Sequence, residues 1–206
     1  RGESPKYKGD FELIRVRSPK LIGQKIVDIC KSLHADGVDY HVVSPTHHGE
    51  AGVTELNKTL RSALNPNRAN LRTVRVGNDE IRVGDKILIT KNDYDLEVYN
   101  GDVGRIEQIN SVSVLVTIKG AKMSIIEVPI ERVGSLIRLS YATTVHKAQG
   151  QEYHTVIVPL TTTHSRLLLK RSLIYTAVTR AKVKVILVGD KAAMDVAVSN
   201  NEDHAK

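Results

Sequence analysis

Two polar segments lie against long apolar runs in the second half of the chain: Tyr141-Ala-Thr-Thr-Val-His-Lys-Ala-Gln-Gly-Gln-Glu152 and Leu173-Ile-Tyr-Thr-Ala-Val-Thr-Arg-Ala-Lys182. In the first segment, Gly150 lets a backbone approach a ligand closely, and Gln149 and Glu152 could read the polar groups of a nucleotide. Further side chains of this segment carry donors that suit phosphate oxygens: Thr143, Thr144, His146 and Lys147. A polar structural turn is the alternative interpretation of the same residues.

Arg180 is the sharpest candidate in the second segment. It lies near the carboxyl end of an otherwise apolar helical pattern, between Thr179 and Ala181. A guanidinium at that position could bond the last carbonyl groups of the helix, or it could reach across to a phosphate. The residues themselves leave both possibilities open.

The composition indicates a folded, basic protein. The 206 residues are 41% hydrophobic, and 30 Lys and Arg against 23 Asp and Glu give a formal net charge of +7. This balance suits a polyanion such as nucleic acid, although a merely soluble basic surface would give it too. A single cysteine excludes an internal disulfide, and no apolar run approaches the roughly 20 residues of a membrane span. We therefore predict a cytoplasmic protein without a membrane partner.

Strand and helix patterns alternate in the outer parts of the chain. The apolar strands are rich in Val, Ile and Leu without interruption, which is typical of parallel strands covered on both faces. This order predicts an α/β fold built on a parallel sheet. Strands are predicted over 11–16, 40–44, 155–160 and 184–189, and helices after Ser18-Pro19, over 53–64 and over about 165–181.

The pattern changes between Leu71 and Leu136, where five short alternating runs are separated by turn formers such as Asn100-Gly-Asp102. Strands without a helical period between them predict a small antiparallel barrel. A meander that extends the main sheet is the alternative. The predicted organisation is a linker, an α/β domain in two parts and an inserted barrel: 1–18, 19–70 with 137–206, and 71–136.

The two polar segments resemble motifs of one protein family. Thr144-Val-His-Lys-Ala-Gln-Gly-Gln-Glu152 resembles motif V of the superfamily 1 helicases, and Tyr175-Thr-Ala-Val-Thr-Arg-Ala-Lys182 resembles motif VI, most closely in the RecD-type branch. Val83-Gly-Asp-Lys86 and Asn100-Gly-Asp-Val-Gly104, with Asn92-Asp-Tyr94 between them, resemble the small Src-homology-type barrel that this branch inserts. Other segments resemble the linker and the opening of the second motor domain: Gly9-Asp-Phe11, Ser44-Pro45, Leu56-Asn57 and Leu64-Asn-Pro66.

The resemblance implies a RecA-like second motor domain from the carboxyl-terminal half of an ATP-dependent DNA helicase. In this family ATP with Mg²⁺ binds between two motor domains, and the motif match makes Arg180 the catalytic arginine finger. Gln149, Gly150 and Glu152 would lie at the nucleotide. Single-stranded DNA would be contacted by Thr143, Thr144, His146 and Lys147, and in the barrel by Lys91, with Lys86 and Arg105 as further candidates.

The sequence contains no Gly-x-x-x-x-Gly-Lys-Ser/Thr phosphate loop. Together with the start at Arg1, this predicts an amino-terminal RecA-like partner domain that is missing here, and a chain that does not hydrolyse ATP by itself. The RecD-type likeness implies 5′ to 3′ movement, and we expect a monomer. Two alternatives stay open: a non-catalytic nucleic-acid-binding or regulatory module that lost the motor, and an RNA helicase fragment.

Three weaker candidates lie elsewhere in the chain. The segment Ser44–Gly52 contains no arginine for a second phosphate contact, which leaves Arg61 in the next helix. His47-His48 lacks nearby ligands at metal spacing and is interpreted as a solvated loop, so no metal is predicted. Tyr94 and Tyr99 could stack on bases or pack in the barrel core.

Overall fold

The computed structural model describes residues 10–16, 18–67, 72–76, 79–119, 123–162 and 169–200. The chain forms two compact units, one of residues 1–63 with 142–206 and one of residues 64–141. Most of the linker predicted over 1–18, the first part of the helix predicted over 165–181 and the tail after 200 lie outside the described residues. Within the described part, no helix is long and apolar enough to cross a membrane.

The larger unit is built on a five-stranded sheet in the order β1-β12-β11-β2-β10, in which every pair is parallel. All of β2 is buried, as are nearly all of β11 and the carboxyl half of β12, because both faces of the central strands are covered. The parallel α/β fold is therefore confirmed. The strands are β1 Phe11–Arg15, β2 Tyr40–Ser44, β10 Ala142–Thr144, β11 Tyr153–Leu160 and β12 Ala181–Gly189.

Four helices accompany this sheet in the described part of the larger unit: α1 Ile22–Ala35, α2 Val53–Leu64, α4 Arg171–Val178 and α5 Lys191–Ser199. Pro19 opens a short 3-10 turn before α1, as the Ser18-Pro19 signal predicts. α5 is not among the helices predicted from the sequence. Its start signal is Asp190, whose carboxylate accepts a hydrogen bond from the Ala193 N–H at 2.6 Å and so caps the helix.

The smaller unit has its own antiparallel sheet in the order β8-β7-β6-β5-β9, beside a two-stranded hairpin of β3 and β4. The alternative of a meander extending the main sheet is therefore wrong. Its strands are β3 Thr73–Val76, β4 Asp79–Arg82, β5 Lys86–Ile89, β6 Val103–Ile109, β7 Ser113–Lys119, β8 Ser124–Pro129 and β9 Ile137–Leu139, and α3 Ile130–Leu136 precedes β9.

Two features of the smaller unit differ from the sequence-based expectation. The strand β3 and the helix α3 were not predicted, since each is short and α3 contains Gly134. The strand β9 pairs with β5, so that Ile87 lies opposite Leu139. This pairing brings Ile137–Leu139 into the smaller unit, which extends over 64–141, where the sequence pattern placed the barrel at 71–136.

A buried carboxylate organises one end of the smaller unit. Asp85 is fully buried, and its oxygens accept hydrogen bonds from the Tyr141 hydroxyl at 2.8 Å, the Asn65 side-chain amide at 2.7 Å and the Arg82 N–H at 2.9 Å. Burial and the nearby Asp85 charge raise the pKa of Tyr141 above its ordinary value. These three bonds all come from neutral donors, and Asp85 of the Val83-Gly-Asp-Lys86 segment has a structural role here.

Candidate functional site

The first polar segment begins at β10, an edge strand whose start is covered by one side chain. Asn57 of α2 donates from its amide nitrogen to the Ala142 carbonyl at 2.9 Å, and its amide oxygen accepts from the Ala142 N–H at 3.0 Å. Asn57 is buried. A buried backbone group needs such a partner, and the amide of Asn57 supplies both bonds that a further strand would make. The start of the polar segment is therefore fixed from outside the sheet.

Thr143 and Thr144 are both buried, and their hydroxyl groups bond within the protein. The Thr143 Oγ1 lies 2.9 Å from Nε2 of His41 in β2, and the Thr144 Oγ1 accepts a hydrogen bond from the Lys147 N–H at 3.4 Å. The Val145 N–H donates to the Ser44 carbonyl at 3.3 Å. The hydroxyl groups of these two threonines therefore stabilise the start of the turn through these hydrogen bonds.

The turn that follows presents its polar side chains to solvent. His146, Lys147 and Gln149 are exposed, whereas Ala148 between them is fully buried. Gly150 has φ +82°, a left-handed conformation that other residues adopt at a free-energy penalty of about 1 kcal/mol or more. The donors predicted for a ligand are thus displayed on a turn whose backbone is anchored at Ala148 and Thr144.

The first polar segment runs back along the sheet. Thr144 lies level with Ser44 at the carboxyl ends of their strands, whereas Tyr153 lies level with Ala181 at the amino end of β12. The register places these two levels about 20 Å apart along the strand direction. The start of the segment therefore lies at the carboxyl end of the strands, and Glu152 lies toward the amino end.

Glu152 and Lys182 join the two polar segments at that amino end. The Lys182 Nζ lies 3.2 Å from Oε2 of Glu152, and both side chains are exposed. An exposed pair of this kind contributes only about 0–1 kcal/mol to stability. Glu152 is thus available to a ligand at little free-energy penalty.

Arg180 follows the end of α4 and bonds back onto that helix. Its Nε donates to the Thr176 carbonyl at 3.3 Å, and its terminal nitrogen donates to the Thr179 hydroxyl at 3.3 Å. The Arg180 side chain is only partly buried. Of the two sequence interpretations, the helix-capping arrangement is the one present in this chain. These two bonds use only part of the N–H groups of a guanidinium, so a second partner can still be bound.

The backbone of Arg180 connects the second polar segment to the first. The Tyr153 N–H donates to the Arg180 carbonyl at 2.9 Å. The structure therefore brings Arg180 next to the end of the first segment, near Glu152. His146 and Lys147 lie toward the other end of that segment.

In the smaller unit, Tyr94 and Tyr99 are 75% and 53% exposed, with ring centroids 6.4 Å apart at an interplanar angle of 77°. Core packing is therefore wrong for both rings. Asp93 and Val98 exchange backbone hydrogen bonds of 2.9 and 3.0 Å in the same loop, so the loop that carries the rings has a defined backbone conformation. Among the basic candidates, Lys91 and Arg105 are exposed, and Lys86 lies directly opposite Arg105 in the β5–β6 ladder.

Two residues that position the site, Asn57 and His41, were given no role from the sequence, although the Leu56-Asn57 segment is part of the family resemblance. Asn57 lies between Leu56 and Leu60 on the apolar face of α2, and a polar residue in such a stripe is a signal for a buried hydrogen bond. His41 is a polar residue in a fully buried strand, which is the same kind of signal. Their partners lie 85 and 102 residues away in sequence, which no local pattern reveals.

Two stretches of the chain match known families of helicase domains. Residues 56–119 match the family described as the SH3 domain of ATP-dependent RecD-like DNA helicases. Residues 139–188 match the family described as the UvrD-like helicase C-terminal domain. The parallel α/β unit, its inserted SH3-like unit and the two motifs together define a helicase motor domain.

Relatives narrow this class. The ATP-dependent RecD2 DNA helicase of Deinococcus radiodurans is 31% identical over 203 residues, which are 98% of this chain and 27% of that protein. The RecBCD enzyme subunit RecD of Mycobacterium tuberculosis is 40% identical over 116 residues, which are 56% of this chain and 20% of that protein. The chain belongs to the RecD-like family of superfamily 1 DNA helicases and spans 20–27% of the length of these two relatives. The family resemblance of the sequence is thereby confirmed.

A solved structure shares the fold. The Pif1 helicase from Bacteroides, crystallised in complex with ADP-AlF3 and single-stranded DNA, superposes with a TM-score of 0.52 over 77% of this chain and 42% of that chain. The sequence identity is 17%, so this likeness concerns the fold alone.

Proposed function

We propose that this chain works as the second motor domain of an ATP-dependent DNA helicase that moves 5′ to 3′ on single-stranded DNA. One observation carries the proposal: the motif V and motif VI segments meet in one unit, where the Tyr153 N–H bonds to the carbonyl of the partly exposed Arg180. The relative named as an ATP-dependent DNA helicase supports it.

The nucleotide side of the proposed site consists of Arg180, Gln149, Gly150 and Glu152. To reach a γ-phosphate, the Arg180 guanidinium would exchange its bonds to Thr176 and Thr179 for bonds to phosphate oxygens. A charged acceptor makes the stronger hydrogen bond, so this exchange is favourable once the phosphate is in place. There the guanidinium would stabilise the charge that spreads over the phosphoryl oxygens during transfer.

The strand side consists of the exposed turn, in which His146 and Lys147 face solvent as phosphate donors. Thr143 and Thr144 support that turn through their hydrogen bonds. In the smaller unit we assign base stacking to Tyr94 and Tyr99, because exposed aromatic faces on an anchored loop suit unstacked bases. Further phosphate contacts are assigned to Lys91, Lys86 and Arg105.

The remaining parts of the proposed site belong to a first motor domain. That domain would supply the phosphate loop and hold the Mg²⁺ with the β- and γ-phosphates, where the metal neutralises developing charge. The chain described here would not hydrolyse ATP without it. We propose a monomeric motor, since two RecA-like domains of one polypeptide complete the nucleotide site.

The test of the proposal is Arg180→Ala in a protein that also contains the first motor domain. Losing an arginine finger lowers kcat by about 10³- to 10⁵-fold, and we expect DNA-stimulated ATP hydrolysis to fall by that factor. Arg171→Ala, at the other end of the same helix, is the matched control and should retain turnover. Normal hydrolysis by Arg180→Ala would remove the finger assignment.

Binding of single-stranded DNA to the chain itself tests the strand side. If phosphate contacts dominate, affinity should fall by one or more decades over a few-fold rise in salt. Affinity that does not respond to salt would contradict the assigned phosphate contacts. Competition between DNA and RNA of one sequence then separates the proposal from an RNA helicase, since RNA readout depends on the 2′-hydroxyl.

A further inference from the structure

Three buried side chains of the larger unit form a continuous line of contacts. The Thr143 hydroxyl lies 2.9 Å from Nε2 of His41, and the His41 ring stacks on the Tyr153 ring with centroids 4.4 Å apart and planes 10° from parallel. All three residues are less than 10% exposed. The line begins beneath the exposed turn at Thr143 and ends at the start of β11.

The Tyr153 end of this line is bonded to Arg180. The Tyr153 N–H donates to the Arg180 carbonyl at 2.9 Å. Tyr153 therefore makes two contacts that matter here. Its ring packs on the His41 ring, and its backbone N–H bonds to the peptide group that precedes β12. The levels of Thr144 and Tyr153 in the sheet register lie about 20 Å apart, and His41 bridges between them.

We propose that His41 and Tyr153 are positioning residues that couple the strand-side turn to Arg180. The inference rests on the proposed function, since it assumes that His146 and Lys147 contact the DNA and that Arg180 contacts the nucleotide. A shift of β10 on DNA binding moves the Thr143 hydroxyl. His41 follows the hydroxyl, because breaking a buried hydrogen bond has a free-energy cost.

The stack transmits the movement to Tyr153. Two rings packed face to face at 4.4 Å cannot slide apart without opening a void in a close-packed core. Tyr153 therefore moves with His41, and through its N–H it biases the position of the Arg180 peptide. Neither residue touches a reacting atom, so the expected signature is a loss of communication between DNA and nucleotide rather than a loss of chemistry.

The experiment compares ATP hydrolysis with and without single-stranded DNA in the protein that contains both motor domains. Coupling free energies between sites correspond to factors of about 5–150, and we expect His41→Phe to lower the ratio of stimulated to basal kcat within that range. His41→Phe keeps the stacked ring and removes the bond to Thr143. Basal hydrolysis, the KM for ATP and the Kd for single-stranded DNA should stay within about two-fold of wild type, because the contacts to both ligands remain.

Two further variants separate coupling from folding. Thr143→Val keeps the shape of the side chain and removes the other half of the same bond, and Tyr153→Leu removes the stack while keeping the backbone N–H. Because Thr143→Val and His41→Phe break one contact, the double variant should lose no more stimulation than either single one. His34→Phe, at an exposed position of α1, is the matched control and should leave the ratio unchanged.

The outcomes are distinct. If His41→Phe and Thr143→Val leave the ratio at its wild-type value while Arg180→Ala abolishes hydrolysis, the coupling is refuted and the proposed function stands. If the variants lower basal and stimulated hydrolysis by equal factors, their role is structural and the coupling is refuted. If the wild-type protein shows no DNA-stimulated hydrolysis, both proposals fall.

Discussion

The two polar segments are fixed in opposite ways. The turn after β10 is anchored by side chains from distant elements, with Asn57 on Ala142 and His41 on Thr143. The side chain of Arg180, by contrast, bonds to Thr176 and Thr179, which lie four and one positions before it at the end of its own helix. Long-range anchoring by buried groups makes a segment move together with the elements to which it is bonded. Local bonds at a surface can be exchanged without disturbing the fold.

This contrast matches what the two segments are proposed to do. A turn that contacts a DNA strand gains from being ordered before binding, because ordering it on binding would lower affinity. An arginine that must reach a phosphate gains from bonds that it can release. If the contrast is correct, substitutions that break the anchoring of the first segment destabilise the larger unit, and those at the second segment do not.

The largest effect is expected for Asn57→Leu. The substitution removes both bonds to Ala142 and leaves its N–H and carbonyl buried without these partners, at about 1–3 kcal/mol for each group. We expect the free energy of unfolding of the larger unit to fall by about 2–6 kcal/mol in a urea titration. Lys58→Ala, exposed on the same helix, should change it by less than about 0.5 kcal/mol. An equal effect of the two changes would refute the anchoring.

Alkaline pH should lower the free energy of unfolding of the larger unit. Burial, with a smaller contribution from the Asp39 charge, raises the pKa of Tyr153, and burial also raises that of Tyr40. The folded state then keeps protons that the unfolded state loses above pH about 10, so stability is full below that pH and declines as pH rises. Each tyrosine contributes a slope of up to about 1.4 kcal/mol per pH unit. Urea titrations between pH 8 and 11 should show a shallower decline for Tyr153→Phe.

Gly150→Ala should lower stability by about 1 kcal/mol, because the alanine must adopt the left-handed conformation with φ +82°. Nothing lies within 4 Å of a Cβ at this position, so sterics with neighbours do not contribute. Gly134→Ala is the counterpart: this glycine lies in α3 with the same open space, and alanine there should stabilise by up to about 1 kcal/mol. Thermal unfolding of both variants checks the opposite signs.

The smallest effect is expected for Thr179→Val. The Thr179 hydroxyl donates to the Thr176 carbonyl at 3.1 Å and accepts from Arg180, but the residue is exposed and water can replace both bonds. We expect a change in the free energy of unfolding of less than about 0.5 kcal/mol in the same urea titration. A loss comparable to that of Asn57→Leu would show that the second segment is also part of the core.

The sequence predicts the elements that carry their own signal. The strand Tyr40–Ser44 and the apolar end of β12 are recognisable because parallel strands buried on both faces must be continuous apolar runs. The short α3 with its glycine, and β9 with three residues, carry too little pattern to be assigned. β9 moreover pairs with β5, which lies some fifty residues earlier, so its sheet is decided by tertiary contacts.

The candidate site also contains residues that the sequence predicts and residues that it does not. Arg180 and the donors of the first segment are visible as polar residues after apolar runs, and the motif resemblance gives them roles. The supporting contacts of Asn57 and His41 are invisible in the sequence, because each depends on a partner from another element. The path of the first segment from one end of the sheet to the other also needs the strand register.

The Asp85 cluster has a consequence for how the smaller unit is inserted. Asn65 is the second residue of that unit and Tyr141 is the last, and both donate to the same carboxylate oxygen. The two ends of the smaller unit are thus joined by hydrogen bonds within that unit. Much of the loop-closure entropy is then lost inside the insertion and not by the surrounding chain. The smaller unit is thus inserted between Ala63 and Ala142 with its two ends already held together. Its cost in loop-closure entropy to the larger unit is therefore similar to that of a short loop.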